Sequence, residues 1–261
     1  MRLVSLTCSN TEIIWALGCL DRLVGVDNHS DFPPEVARLP KVGPDLQIDL
    51  DKVEALKPDL VLASLSVPGM ERVVEGLEGR KIPHLVLDPQ TLQEVYQNIQ
   101  QVAEALGVEQ QGRHVVRAMQ QMVAQARGRL PHWVRPPKVM VEWWPRPMIA
   151  AGKLSWVTEM LEVLGAQNAF AHLPVRSKPL TPAEVEEAQP DLITVSWCGV
   201  KKLRLEVVLS RQLKIPALEH KQVFALEEAY LGRPGPRLAE GIKKLAELLR
   251  GVPVWQHGGR P

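Results

Sequence analysis

The sequence predicts an α/β fold of two similar Rossmann-like lobes with parallel sheets, joined by a single long helix. Three observations predict it. Segments of the N-terminal part recur in the C-terminal part, short apolar runs are bounded by Pro-Asp or Gly, and the middle of the chain carries apolar residues at helical spacing. With 261 residues, 45% of them hydrophobic and 23% charged, the chain is long enough for two modest cores.

Taken in order, Met1 to Leu6 reads as a short strand, and Thr11 to Leu17 as a helix closed by Gly18. Thr158 to Leu164, closed by Gly165, repeats that helix in the second half. Val53-Glu54-Ala55-Leu56-Lys57-Pro58-Asp59-Leu60-Val61 matches Val185-Glu186-Glu187-Ala188-Gln189-Pro190-Asp191-Leu192-Ile193. In both, Pro-Asp stops a helix and an apolar strand follows. Ile82-Pro83-His84-Leu85 and Ile215-Pro216-Ala217-Leu218 then each open a further strand. The lobes are therefore placed at residues 1–90 and 131–261. The connecting helix spans 91–130, with Gly107 and Gly112 as points of interruption, and Val139 to Glu142 is the first strand of the second lobe.

In open parallel sheets ligands bind beyond the carboxyl ends of the strands. That rule selects Cys8, Ser9, Asn10, His29, Ser64 and Ser66 in the first lobe, and Trp143, Trp144, Trp197, Cys198, Glu219 and His220 in the second, with Trp156 close by. Loops from both lobes would enclose a shared cleft. Tryptophan faces suit a flat or bulky organic ligand, or else close the lobe core. His29 is the candidate metal ligand, and Cys8, Cys198 and His220 could join it around a bare ion. Arg233 and Arg237, in the rigid turn Gly232 to Arg237, would hold a carboxylate or phosphate. Exposed acids before the two Pro-Asp pairs, Asp51, Glu184 and Glu186, would dock a partner, one patch per lobe.

Lys and Arg (31) nearly balance Asp and Glu (30), which leaves no field for nucleic acid. Three cysteines without paired spacing argue against a disulfide framework, and no run of 18 apolar residues suggests a membrane span. Gly-x-Ser-x-Gly, a phosphate-cradling Gly-rich loop and His-Glu-x-x-His are all missing, so an enzyme is not expected. No charged and apolar leader opens the sequence, so the protein is either exported after removal of a leader or cytoplasmic.

Val4 to Glu12 followed by Ala16-Leu17-Gly18, Leu23-Val24-Gly25-Val26 with Ser30-Asp31-Phe32-Pro33-Pro34, Leu56 to Val61, and Gly232 to Arg237 resemble the cobalamin- and siderophore-binding proteins of ABC importers, cobalamin-type branch. The resemblance covers nearly the whole chain. It implies the class III periplasmic-binding-protein fold, a cobalamin or other corrinoid as ligand, an ABC permease as partner, a monomer and no catalysis. Haem, a ferric siderophore or other ferric chelate, or a metal ion is the alternative ligand. A cytoplasmic cobalamin-handling protein or enzyme on the same fold is a further one. By resemblance, His29 stands where the cobalamin binder places an aromatic lining residue, Asp45 where it places a tryptophan, and Asp51 where an acid meets permease arginines.

Overall fold

The computed structural model describes residues 1–200 and 202–252. The chain divides into two compact units, the first formed by Met1–Pro89, Gln93–Ala118 and Pro234–Pro236, the second by Gln90–Leu92, Met119–Arg233 and the chain from Arg237.

The first unit holds a four-stranded, all-parallel sheet of β1 (Leu3–Ser5), β2 (Leu23–Val26), β3 (Leu60–Ser64) and β4 (His84–Leu87), in the order β2-β1-β3-β4. Helix α1 (Cys8–Ala16) follows β1, α2 (Leu50–Ala55) precedes β3, and α3 (Glu71–Gly79) joins β3 to β4. Val61 to Ser64 are all buried, the continuous run expected of a strand covered on both faces. Val4, Leu6, Val61 and Ala63 pack with Val42, Val53, Val73, Leu77 and Ile82 in the unit's core.

Two helices follow, α4 (Leu92–Ala105) and the 19-residue α5 (Glu109–Arg127), the long helix in which the chain passes from one unit to the other. Gly107, at φ +67°, ends α4, and Val108 N–H donates back to Ala103 O at 2.8 Å. Gly112 has another role. It lies inside α5, where an added Cβ would come within 2.5 Å of Ala103 Cβ, so its missing side chain is what lets the two helices touch.

The second unit holds a six-stranded sheet in the order β10-β9-β5-β6-β8, with β7 paired to β5. Its strands are β5 (Lys138–Pro145), β6 (Met148–Ala151), β7 (Gln167–Asn168), β8 (Ser177–Leu180), β9 (Leu192–Val195) and β10 (Val223–Ala225). Its helices are α6 (Trp156–Val163), α7 (Pro182–Ala188), the single turns α8 (Glu206–Leu209), α9 (Pro216–Glu219) and α10 (Glu228–Leu231), and the amphipathic α11 (Leu238–Leu249). The parallel pattern holds for β5, β7, β9 and β10, whereas β6 and β8 add an antiparallel flank. The flank exists because Arg146-Pro147 turns β5 straight back on itself, a connection only antiparallel neighbours allow.

The internal repeat is visible at atomic detail. Asp59 and Asp191 each close a reciprocal pair with the residue at the start of their unit's first strand. Arg2 N–H donates to Asp59 Oδ2 at 2.6 Å and Asp59 N–H to Arg2 O at 2.8 Å; Lys138 N–H donates to Asp191 Oδ2 and Asp191 N–H to Lys138 O, both at 2.8 Å. The residues ahead of each Pro-Asp, Lys57 and Gln189, have φ +47° and +48°, and the helix-closing Gly18 and Gly165 have φ +72° and +78°. The repeat departs from expectation at Ile215 to Leu218. Pro216 occupies the first position of helical turn α9, where its missing N–H costs nothing, and the strand begins only at Val223. Glu219 and His220 therefore precede β10 and do not lie at a strand's carboxyl end.

Candidate functional site

In the first unit the carboxyl ends of β1 and β2 are tied by a buried polar network. Thr11 Oγ1 lies 2.8 Å from both Ser5 Oγ and Ser30 Oγ, and Ser30 Oγ donates to Asp27 Oδ1. Asp27 Oδ2 accepts the His29 and Ser30 amides at 2.8 and 3.1 Å, the turn that an Asp two or three residues ahead forms readily. Burial pushes the Asp27 carboxyl above its ordinary range, and the bonds from Ser30 and His29 oppose that. Lys41 Nζ closes the turn by donating to Ser30 O at 2.8 Å, and Asn28 and Gly43 exchange bonds of 2.8 and 3.2 Å. At Gly43, φ is +116° and a Cβ would sit 2.7 Å from Gln47 O, so this crossing needs glycine.

His29 rides on that fixed turn with its side chain 57% exposed and Nε2 3.9 Å from Asp45 Oδ1. In the same unit, Cys8 is half-buried, and Ser9 is buried with its hydroxyl 3.1 Å from Thr7 Oγ1. Asn10, also buried, donates to Ala63 O at 3.0 Å, and Ser64 Oγ donates to Ser66 Oγ at 2.9 Å. Ser9, Asn10 and Ser64 thus have partners within the fold. Cys8, Ser66 and His29 are the more accessible members of the set.

In the second unit β5 runs on past Glu142, so Trp143 and Trp144 lie within a strand and not in the loop after it. Trp143 is half-buried and Trp144 is 41% exposed. Trp197 and Trp156 are 3% and 7% exposed, their indole N–H groups donating to Glu142 Oε1 at 3.0 Å and to Leu231 O at 2.7 Å. Glu142, fully buried, is held on its other side by both terminal nitrogens of Arg211. Cys198 is exposed, and the next residue, Gly199 at φ +69°, donates its amide to Glu228 Oε2 at 2.7 Å. Arg233 is half-buried, and Arg237 lays its guanidinium 4.9 Å from the Tyr230 ring centroid.

The acids selected for docking all have intramolecular partners. Arg80 Nη1 donates to Asp51 and Glu54, although the Asp51 side chain stays 85% exposed. Lys178, with the Thr181 amide and hydroxyl, holds the Glu184 carboxyl down to about 2. Glu186 Oε1 accepts the Lys214 amide at 2.9 Å.

Asp27, Arg80 and Arg211 were not singled out from sequence. Only Asp27 carries a local signal, an acid closing a strand two residues before His29; the other two act across 26 to 69 positions of chain. Among the described residues no group of three or more His, Cys, Asp or Glu is placed to hold a metal ion. The four-residue set Cys8, His29, Cys198 and His220 is not assembled as a bare-ion centre.

The sequence matches the family of periplasmic binding proteins over residues 3–230. It is 35% identical to the ABC transporter substrate-binding lipoprotein YvrC of Bacillus subtilis, over 94% of this chain and 79% of that one. The fold superimposes on the periplasmic heme-binding protein RhuT of Roseiflexus sp. RS-1 with TM-score 0.82 and 29% identity, covering 96% of this chain and 98% of that one. It superimposes on the periplasmic vitamin B12 binding protein BtuF of Vibrio cholerae with TM-score 0.79 and 25% identity, covering 95% and 96%. Relatives of both ligand types match, so the likeness reaches the class III family as a whole and not a cobalamin branch. Within that class the protein is a non-catalytic, extracytoplasmic substrate-binding component that hands a small ligand to an ABC permease. Its two α/β units, its long helix and its matched residues make the chain a member of the periplasmic binding protein family.

Proposed function

We propose that the cargo is a metal-containing tetrapyrrole, haem or a corrinoid, delivered to the membrane permease. One observation carries the reading: an exposed imidazole, His29, stands on an immobilised turn at the end of β2, suited to a ligand that brings its own metal. Trp143 and the exposed face of Trp144 supply a surface that suits a planar ring system. The likeness to RhuT and BtuF supports haem and corrinoid alike, with RhuT the nearer of the two in identity.

In this reading His29 and Ser66 in the first unit, and Trp143, Trp144 and Cys198 in the second, are the accessible residues proposed for ligand contact, and Ser9, Asn10, Ser64, Trp156 and Trp197 are the buried ones. Arg233 and Arg237 are the residues proposed to meet its carboxylates. The permease docks on the first turns of α2 and α7, with Asp51 the most accessible acid and Glu184 and Glu186 beside their own cations and amides. Purified protein titrated with haemin, cobalamin, cobinamide and ferric hydroxamates, followed by absorbance and calorimetry, tests the assignment. Saturable binding of a tetrapyrrole is expected, and preference for a ferric hydroxamate over every tetrapyrrole would overturn it.

A further inference from the structure

Two helices of the second unit lay matching stripes side by side. Met122, Gln125 and Ala126 on α5, with Arg129 just past its end, are spaced i, i+3, i+4 and i+7, and so are Lys243, Ala246 and Glu247 on α11 with Arg250 at its end. Between them runs a groove of about 180 Å³, smaller than a drug-sized ligand needs and lined by none of the strand-end residues. Its floor is buried Ala126 and Ala246 beside half-buried Met122. Its rim is exposed Arg129, Lys243 and Arg250, with one acid, Glu247.

The neighbouring cations have partners. Arg127 lies over the Trp133 ring, Arg135 is held by Asp191, and Lys244 Nζ is 4.7 Å from the Tyr230 ring centroid. Among the described residues the side chains of Arg129, Lys243 and Arg250 make no hydrogen bond or ion pair. Nor does the surrounding sequence cancel their field: from Gln110 to Val141 there is no Asp or Glu against six Lys and Arg, in a chain whose totals are 30 and 31. No hydroxyl lines the groove, and both helices bring their C-terminal ends to it, where carbonyls carry partial negative charge. A small free anion is therefore poorly enclosed. Cations spread around an apolar floor suit a headgroup phosphate with the carbons of its glycerol behind it.

We propose that this groove is a contact for anionic phospholipid, by which the second unit rests on the bilayer that holds the permease. The proposal is independent of which cargo is carried. Arg129, Lys243 and Arg250 meet lipid phosphates, and Met122 with the two alanines meets the glycerol. Adhesion of this kind is weak and salt-sensitive, so the protein leaves the membrane as readily as it arrives.

The full chain and its variants are mixed with vesicles of phosphatidylglycerol and phosphatidylcholine in equal parts, or of phosphatidylcholine alone, and binding is read by flotation. Thermal melts confirm that every variant folds. The wild type should bind the first vesicles and not the second, and should be released in about 0.5 M salt. Arg129→Gln, Lys243→Gln and Arg250→Gln should each weaken binding about fivefold and the triple variant about 100-fold, while Glu247→Gln should strengthen it about fivefold. A control triple, Lys57→Gln with Lys81→Gln and Lys221→Gln, removes the same charge from exposed positions elsewhere and should bind like the wild type. Equal loss in the control triple, or equal binding to phosphatidylcholine alone, would overturn the proposal. So would saturable calorimetric binding of inorganic phosphate that displaces the protein from vesicles, which would make the groove a free-anion site. Tighter binding to polyglutamate than to the anionic vesicles would overturn it too, in favour of an acidic protein partner.

Discussion

Arg211 reaches Glu142 with both terminal nitrogens, Nη2 meeting Oε1 at 3.1 Å, and its Nη2 also donates to Pro145 O at 3.3 Å. Glu142 is fully buried and Arg211 nearly so, so the pair is worth most as a unit. Removing one member strands the other. Arg211→Leu should destabilise the protein by about 3–5 kcal/mol, because a desolvated carboxylate is left without its cation. Glu142→Gln together with Arg211→Leu should cost less than Arg211→Leu alone. Urea unfolding of the single and double variants measures both values, and additive losses would show that the pairing matters little.

The four tryptophans near the strand ends divide by burial. Trp144→Ala should lower tetrapyrrole affinity by about tenfold while leaving the melting temperature within a degree or two, since an exposed side chain contributes little to the fold. Trp197→Phe removes the donor to Glu142 and should cost about 1–3 kcal/mol of stability. Parallel melts and titrations separate the two effects.

Two carboxyls give opposite pH signatures. Glu184 is held at about 2 against an ordinary 4.5 by Lys178 and Thr181, so its contribution is present above 4.5 and is lost as pH falls toward 2. Glu184→Gln should therefore be less stable than wild type at pH 7, the gap closing in acid and narrowing in high salt. Asp27 is raised, chiefly by burial, so its contribution is full below its ordinary 3.8 and declines as pH rises through the folded value. Asp27→Asn should flatten that decline. Melting temperatures from pH 2.5 to 8 record both slopes.

Gly241 sits where α11 crosses α10, and an added Cβ would come within 1.9 Å of Tyr230 O. A backbone oxygen cannot swing aside as a side chain can. Gly241→Ala should cost about 3 kcal/mol or more despite alanine's better helix propensity, whereas Gly79→Ala, with no atom within 4 Å, should be neutral or slightly stabilising. Calorimetric melts of both variants decide the point.

The duplication was legible because its marks are local: a Pro-Asp that stops a helix, a glycine closing a helix and an apolar strand each occupy a few consecutive positions. The antiparallel flank was less legible, since Pro145-Arg146-Pro147 reads equally well as an ordinary loop until the strand pairing is known. Site residues divide on the same principle. His29 follows from the strand-end rule, but the burial of Trp156 and Trp197 depends on Leu231 and Glu142, 75 and 55 positions away, which no spacing pattern connects. The acids proposed for docking stand out by charge and position ahead of Pro-Asp, while the cations that meet them, Arg80 and Lys178, depend on packing of neighbouring elements.

The paired braces at Asp59 and Asp191 give the molecule a built-in replicate. The same carboxylate holds the same kind of strand start at two sites, but Asp191 also grips Arg135 through two bonds of 2.7 Å, and its side chain is 5% exposed against 57% for Asp59. Any difference between the two in strength or exchange rate is owed to surroundings alone, because the local geometry is shared.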